Sequence, residues 1–143
     1  MRGSQRSLLS DERSPRPVNL EMNPENVHPV GSHYLLELFD CPTEKINDER
    51  FVRSCLVEAI GLARLSLVEM VSHSFHPHGL TMVVLLKESH LSFHSWPEYG
   101  YVAIDLFTCG LNSEPEAACD YLARVLEASR FDRQKIRRGP LES

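Results

Sequence analysis

One stretch of about two dozen residues, from Lys87 to Gly110, holds most of the side chains that can do chemistry. It contains a Glu-Ser pair at positions 88 and 89, histidines at 90 and 94, the only tryptophan, and a Thr-Cys-Gly sequence around Cys109. An activated serine is a nucleophile, an imidazole transfers protons near neutral pH, and a thiol can donate a proton. The stretch lies between apolar β-type runs, and a purely structural hairpin would not need this chemistry.

The Glu-Ser pair permits one particular reaction without indicating it by itself. A serine in a tight link between two strands can be held with its hydroxyl against the preceding carbonyl, and if the turn strains that peptide bond, attack converts the amide into an ester. Loss of the ester by β-elimination leaves a dehydroalanine, which hydrolyses to a pyruvoyl group at a new N-terminus. An isolated Glu-Ser pair would more simply be a hairpin turn, so this interpretation depends on the residues around it.

The elements that position this stretch predict an α+β fold. Apolar patterns predict strands over 33–39, 65–75, 81–86, 91–96 and 101–108, helices over 48–64 and from Ser113 onward, and a weak last strand over 131–136. This order predicts a two-layer α/β sandwich, with a largely antiparallel sheet and helices on one face. Ser113 and Glu116 have the spacing of a capping box. The unbroken apolar run at 81–86 predicts a strand buried on both faces.

Composition excludes several classes of protein. The formal net charge of −5 argues against general nucleic-acid binding, and no apolar stretch is long enough to span a membrane. The four cysteines have no C-x-x-C spacing, so a zinc ribbon is not indicated and reduced thiols in a cytoplasmic protein are expected. The polar, proline-broken residues 1–30 predict a disordered tail, followed by one domain over 31–143.

The central stretch closely resembles that of the prokaryotic S-adenosylmethionine decarboxylases, a pyruvoyl-dependent family. The family pattern is Glu-Ser-His, a strand, His-Thr-Trp-Pro-Glu-Tyr-Gly-Tyr, a strand, and Asp-x-Phe-Thr-Cys-Gly; this chain departs from it at Ser95, where threonine is usual. A weaker resemblance runs from about Gly31 to Arg130. It implies self-cleavage between Glu88 and Ser89 into a β chain, 1–88, and an α chain, 89–143. The two chains would stay associated in a homodimer whose active sites lie between the protomers.

The resemblance also implies a chemical role for each matched residue. Ser89 would become the pyruvoyl cofactor, whose ketone forms a Schiff base with the amine of S-adenosylmethionine and accepts electrons as carbon dioxide leaves. His94 would transfer a proton during processing, and Thr81, where the family usually has serine, would support that step. Cys109 would donate the proton that replaces the lost carboxylate.

Two further residues match substrate-binding positions of the family. Glu98 would hold the ribose hydroxyls with its carboxylate, and Phe75 would stack on the adenine. The five histidines at 73, 76, 78, 90 and 94 invite a metal hypothesis, but no cysteine or carboxylate completes a zinc pattern among them. We therefore expect no metal ligand.

These observations predict a self-processing S-adenosylmethionine decarboxylase that supplies the aminopropyl donor for spermidine biosynthesis, with no nucleic-acid or membrane partner. One alternative is a pyruvoyl-dependent arginine or ornithine decarboxylase, because pyruvoyl chemistry requires only the amine and carboxylate of an amino acid. Glu98 and Phe75 favour a nucleoside ligand, whereas Gly31-Ser32-His33 lacks a basic residue that the family commonly has in the middle of that triplet. The other alternative is a non-catalytic regulatory subunit. Such a subunit should have lost the reactive residues, whereas Ser89, His94 and Cys109 are all present.

Overall fold

The fold is built on one β-sheet, whose first and last strands begin and end at the limits of the described residues. A computed structural model describes residues 27–109 and 112–142. Six antiparallel strands lie in the order β2-β3-β4-β5-β1-β6. The predicted α+β class is confirmed. In chain order, the elements are β1 (Val27–Phe39), α1 (Thr43–Ile46), α2 (Glu49–Leu62), β2 (Leu67–Ser74), β3 (Leu80–Leu86), β4 (Ser89–Trp96), β5 (Tyr101–Thr108), α3 (Pro115–Val125) and β6 (Arg130–Glu142).

The two longer helices pack on one face of the sheet and form the core with it. Helix α2 begins after Asp48, whose carboxylate accepts a hydrogen bond from the backbone N–H of Phe51 at 3.1 Å. Alternate residues of β3, β4 and β5 are buried, as expected for strands with one covered face. The helices contribute apolar side chains at three- and four-residue spacing, among them Val52, Leu56, Ile60, Ala118 and Leu122.

The opposite face of the sheet, called the open face below, carries exposed apolar side chains. Val71, Val83 and Leu85 are 57%, 41% and 52% exposed. The prediction that the third strand is buried on both faces is therefore wrong for a single chain. Its apolar run fills the core with one set of alternate residues and leaves the other set on the open face, where no described element of the same chain covers it.

The outer strands are longer than their sequences predict. Strand β1 begins at Val27 rather than at 33, and β6 runs to Glu142 rather than to 136, because the two strands pair along their full lengths. Pro29 and Pro140 stand opposite each other in this register, and proline is a poor indicator of a strand. Residues 27–30 therefore belong to the sheet, while the rest of the predicted tail lies outside the described residues.

Helix α3 begins differently from its prediction. It starts at Pro115 with Glu114 at the N-cap position and no side-chain cap, so Ser113 and Glu116 do not form a capping box. The Glu116 carboxylate instead accepts a hydrogen bond from the hydroxyl of Tyr34 at 2.7 Å. Burial and this hydrogen bond hold the pKa of Tyr34 well above its usual value. Across the described ranges, no helix combines the length and apolar character needed to cross a bilayer.

Candidate active site

The peptide bond between Glu88 and Ser89 lies at the tip of the β3–β4 hairpin. Leu86 and Ser89 face each other in the register, so Lys87 and Glu88 form a two-residue connection. Such connections usually carry positive φ angles on glycine or asparagine within the loop. Here the positive φ, 155°, falls on Ser89, a conformation that non-glycine residues rarely adopt. Such strain costs about 1–3 kcal/mol, and it lies directly at the predicted cleavage point.

Cys109 contacts the carbonyl of this same peptide bond. Its backbone N–H donates to the Glu88 carbonyl oxygen at 3.2 Å, and its thiol donates to the same oxygen at 2.9 Å. Cys109 is brought there because it follows Thr108, which pairs with Ser89 across β4 and β5. Two donors on one carbonyl oxygen polarise the carbonyl and would stabilise negative charge that develops on it. The predicted cleavage site and the predicted proton donor are thus neighbours in the structure.

Ser66, in the segment before β2, forms two hydrogen bonds with the tip of the hairpin and was not identified from the sequence. Its carbonyl accepts the backbone N–H of Lys87 at 3.0 Å, and its own N–H donates to the Glu88 side-chain oxygen Oε2 at 3.0 Å. Burial acts to raise the pKa of the Glu88 carboxyl, but hydrogen bonds, chiefly from Ser66, outweigh it and hold the pKa below its usual value. No motif could have indicated Ser66, because it is 22 residues away from Glu88.

A second group of predicted residues surrounds a cavity of about 320 Å³ at the other end of β4. Within it, Thr81 Oγ1 lies 2.9 Å from His94 Nδ1, because the two residues are paired across β3 and β4. Phe75 is 52% exposed, so its ring is available to a ligand. The lining residues are Phe75, His78, Gly79, Thr81, His94, Ser95, Trp96 and Glu98.

Glu98 is held at this cavity by a short 3-10 turn, Pro97–Tyr99. The turn ends at Gly100, whose φ of 61° suits glycine and whose missing Cβ would come within 3.0 Å of a backbone carbonyl oxygen. The hydroxyl of Thr43 donates to the Pro97 carbonyl at 3.1 Å. His78 Nε2 lies 3.0 Å from Glu98 Oε2, a contact that the sequence analysis did not predict. The His-rich composition of residues 73–78 was the only available signal for it.

One chain does not bring the two groups together. Ser89 and His94 are five residues apart on β4, which corresponds to about 17 Å along the strand. Glu88, Ser89 and Cys109 therefore lie at one end of β4, and Phe75, Thr81, His94 and Glu98 at the other. The imidazole beside Ser89 in the same chain belongs to His90, whose Nδ1 lies 3.0 Å from Ser89 Oγ.

The four cysteines differ sharply in their surroundings. All four are free; Cys109 is exposed, and Cys41, Cys55 and Cys119 are buried. Burial raises the pKa of Cys41 and of Cys119 to about 11 each, and it also raises the pKa of Cys55. Within the described ranges, no three or more His, Cys, Asp or Glu side chains are grouped so that they could hold a metal ion.

Comparisons with known proteins agree on one family. The family model described as S-adenosylmethionine decarboxylase matches residues 32–139. The chain is similar to the S-adenosylmethionine decarboxylase proenzyme of Parasynechococcus marenigrum, at 45% identity over 76% of this chain and 85% of that protein. It is also similar to the proenzyme of Caldicellulosiruptor saccharolyticus, at 38% identity over 81% of this chain and 94% of that protein. The crystal structure of the adenosylmethionine decarboxylase from Aquifex aeolicus covers 80% of this chain and 94% of its own, with a TM-score of 0.74 and 38% identity.

The contrast among the cysteines predicts the reactivity of the native thiols. We expect a thiol-specific disulfide reagent to modify one thiol per folded chain rapidly, because Cys109 alone of the four is exposed. All four should react after denaturation, and Cys109→Ser should abolish the rapid phase. Absorbance of the released thiolate measures the stoichiometry, and two or more rapidly reacting thiols in the folded protein would contradict this assignment.

Proposed function

Because the chain belongs to the S-adenosylmethionine decarboxylase family, we propose that it cleaves itself between Glu88 and Ser89 and uses the resulting pyruvoyl group to decarboxylate S-adenosylmethionine. The decarboxylated product serves as the aminopropyl donor in spermidine biosynthesis, as the family implies. The observation that carries the proposal is the Glu88–Ser89 peptide, which combines a strained φ of 155° with two hydrogen bonds from Cys109 on its carbonyl oxygen.

The first step is an acyl shift at this peptide. Ser89 Oγ attacks the Glu88 carbonyl carbon, and the negative charge that develops on the carbonyl oxygen is met by the N–H and thiol of Cys109. The C–N bond then breaks as the proton lost from the Ser89 hydroxyl passes to the Ser89 nitrogen, which leaves Glu88 joined to Ser89 through an ester and Ser89 with a free amine. Strain in the original turn favours this change because the amide that imposes the turn is lost.

The second step needs a base that removes the α-proton of Ser89. The main-chain α-carboxylate of Glu88, now the C-terminus of the β chain, then leaves with Oγ. Hydrolysis of the resulting dehydroalanine releases ammonia and a pyruvoyl-blocked α chain, 89–143. We assign the base to His94, whose Nδ1 is fixed by the hydroxyl of Thr81, so that Nε2 is the nitrogen left for proton transfer. Threonine in place of the family's usual serine keeps this hydroxyl and restricts its rotamer.

His94 is about 17 Å along β4 from the Ser89 of its own chain, so the proposal requires a second copy. The open face supplies a surface for it, because its apolar side chains, such as Val83 and Leu85, remain exposed in one chain. Two sheets packed face to face would bring the Ser89 end of one β4 to the His94 end of the other if the two-fold axis lies between the sheets and perpendicular to β4. We therefore infer a homodimer with two active sites, each built from both copies.

The cavity beside His94 has the chemistry of a nucleoside site. The exposed ring of Phe75 offers a face for stacking on adenine, and the Glu98 carboxylate can accept hydrogen bonds from two ribose hydroxyls. In this arrangement the substrate amine and carboxylate would extend toward the pyruvoyl end of the second copy. The pyruvoyl carbonyl supplies the electron sink for loss of carbon dioxide.

Cys109 is suited to return a proton to the substrate carbon. Its thiol is exposed, donates a hydrogen bond to the Glu88 carbonyl, and therefore carries its proton beside the residue that becomes the pyruvoyl group. The other three cysteines are buried and pack in the core as small apolar side chains.

Complementation between two inactive variants tests the shared site. Ser89→Ala and His94→Ala chains should each stay uncleaved alone, because one lacks the scissile residue and the other lacks the base. When both are co-expressed, mixed dimers should cleave the His94→Ala chain, since its intact Ser89 meets the intact His94 of the other copy. Denaturing intact-mass spectrometry would detect an α fragment that carries alanine at position 94, with size-exclusion chromatography as the control for dimerisation.

Two results would contradict the shared site. A pyruvoyl-blocked α fragment from His94→Ala chains in the absence of the other variant would show that His94 is not the base. Failure of His90→Ala to cleave would then identify the imidazole next to Ser89 in the same chain as the base. Mixed dimers that form but never cleave would also overturn the arrangement.

Carbon dioxide release tests the substrate. We expect release from carboxyl-labelled S-adenosylmethionine and none from arginine or ornithine. Glu98→Gln should raise KM by about 10-fold or more with a smaller change in kcat, since hydrogen bonds to a charged group contribute about 1.5–3 kcal/mol. Glu58→Gln, at an exposed position of α2, is the matched control. Rates are normalised to the cleaved fraction, and activity on arginine alone would overturn the substrate assignment.

A further inference from the structure

The side chain of Glu88 has no part in the chemistry above, yet it makes a specific contact. Its Oε2 accepts the backbone N–H of Ser66 at 3.0 Å, while the Ser66 carbonyl accepts the N–H of Lys87 at 3.0 Å. Both residues of the hairpin connection are therefore bound to the main chain of one residue outside the hairpin. We call this pair of hydrogen bonds the Ser66 clamp.

The Ser66 clamp acts where the turn would otherwise relax. Strand pairing fixes Leu86 and Ser89 on either side of the connection, and Cys109 fixes the Glu88 carbonyl. Without a hold on the Glu88 side chain, rotation of the Lys87–Glu88 connection could relieve the positive φ of Ser89 and turn the carbonyl away from its two donors. A displacement of this kind lowers the rate of an intramolecular attack steeply, because the reaction depends on near-attack geometry.

We propose that Glu88 is a positioning residue for self-processing, and that its carboxylate, by binding the N–H of Ser66, holds the scissile carbonyl and Ser89 in the strained geometry from which the acyl shift starts. This inference rests on the proposed function, since it assigns a role within that same cleavage. It gives the residue before the cleavage point a role through its side chain, in addition to the role of its carbonyl.

The clamp can be tested by the rate at which freshly synthesised precursor becomes two chains. Glu88→Ala should slow cleavage by about tenfold or more, since it removes the acceptor for the Ser66 N–H. Glu88→Gln should cleave within about threefold of wild type, because its amide oxygen can still accept that hydrogen bond. Glu58→Ala, which removes an exposed carboxylate on helix α2, should leave the rate unchanged.

A simple loss of stability is separated from positioning by a second pair of measurements. Glu88→Asp keeps the charge but is one methylene too short to reach Ser66, so it should be slow, as Glu88→Ala is. The thermal midpoints of the four variants should not rank in the order of their cleavage rates. If Glu88→Ala cleaves at the wild-type rate, or if Glu88→Gln is as slow as Glu88→Ala, the positioning role is wrong. Ser89→Ala decides the proposed function independently, because cleavage in that variant would refute the pyruvoyl origin itself.

Discussion

The hydrogen bonds between Cys109 and the Glu88 carbonyl are the contact on which the rest of the site depends. They join the tip of the β3–β4 hairpin to the end of β5, and they exist because Ser89 and Thr108 are paired in the sheet. A shift of the β4–β5 register by one residue would move Cys109, which directly follows β5, along the hairpin and take its thiol away from the Glu88 carbonyl. The sheet register therefore determines whether the strained peptide has donors for an oxyanion.

The division of the functional residues along β4 has the same origin. A β-strand has a fixed rise per residue, so the spacing of Ser89 and His94 in sequence sets their separation along β4. No change of side-chain rotamer can bring them together within one chain. Two observations favour a dimer. Apolar residues remain exposed on the open face, and each end of β4 carries only part of the proposed active site. In the proposed dimer, one association covers the apolar face and completes two active sites. Folding, assembly and processing would then be successive conditions for activity.

Apolar periodicity in the sequence predicted the elements whose bounds depend on neighbouring residues. The helix predicted over 48–64 and the strand predicted over 101–108 are confirmed as α2 and β5, because each depends on residues close together in the chain. The full lengths of β1 and β6 depend on pairing between distant segments, and they were not predictable. The clamp at Ser66 and the contact between His78 and Glu98 are likewise tertiary. The motif identified candidate residues, but only the strand geometry separates them into two groups.

The most direct test of the central proposal is a denaturing intact-mass spectrum of the purified protein. The proposed chemistry predicts two masses that divide the chain between Glu88 and Ser89, with the second fragment blocked by a pyruvoyl group in place of its N-terminal serine. A single full-length mass that persists after long incubation would contradict it. Two fragments in which the second begins with an unmodified serine would contradict it as well, because they would show hydrolysis of the peptide or of the ester without the elimination that makes a pyruvoyl group.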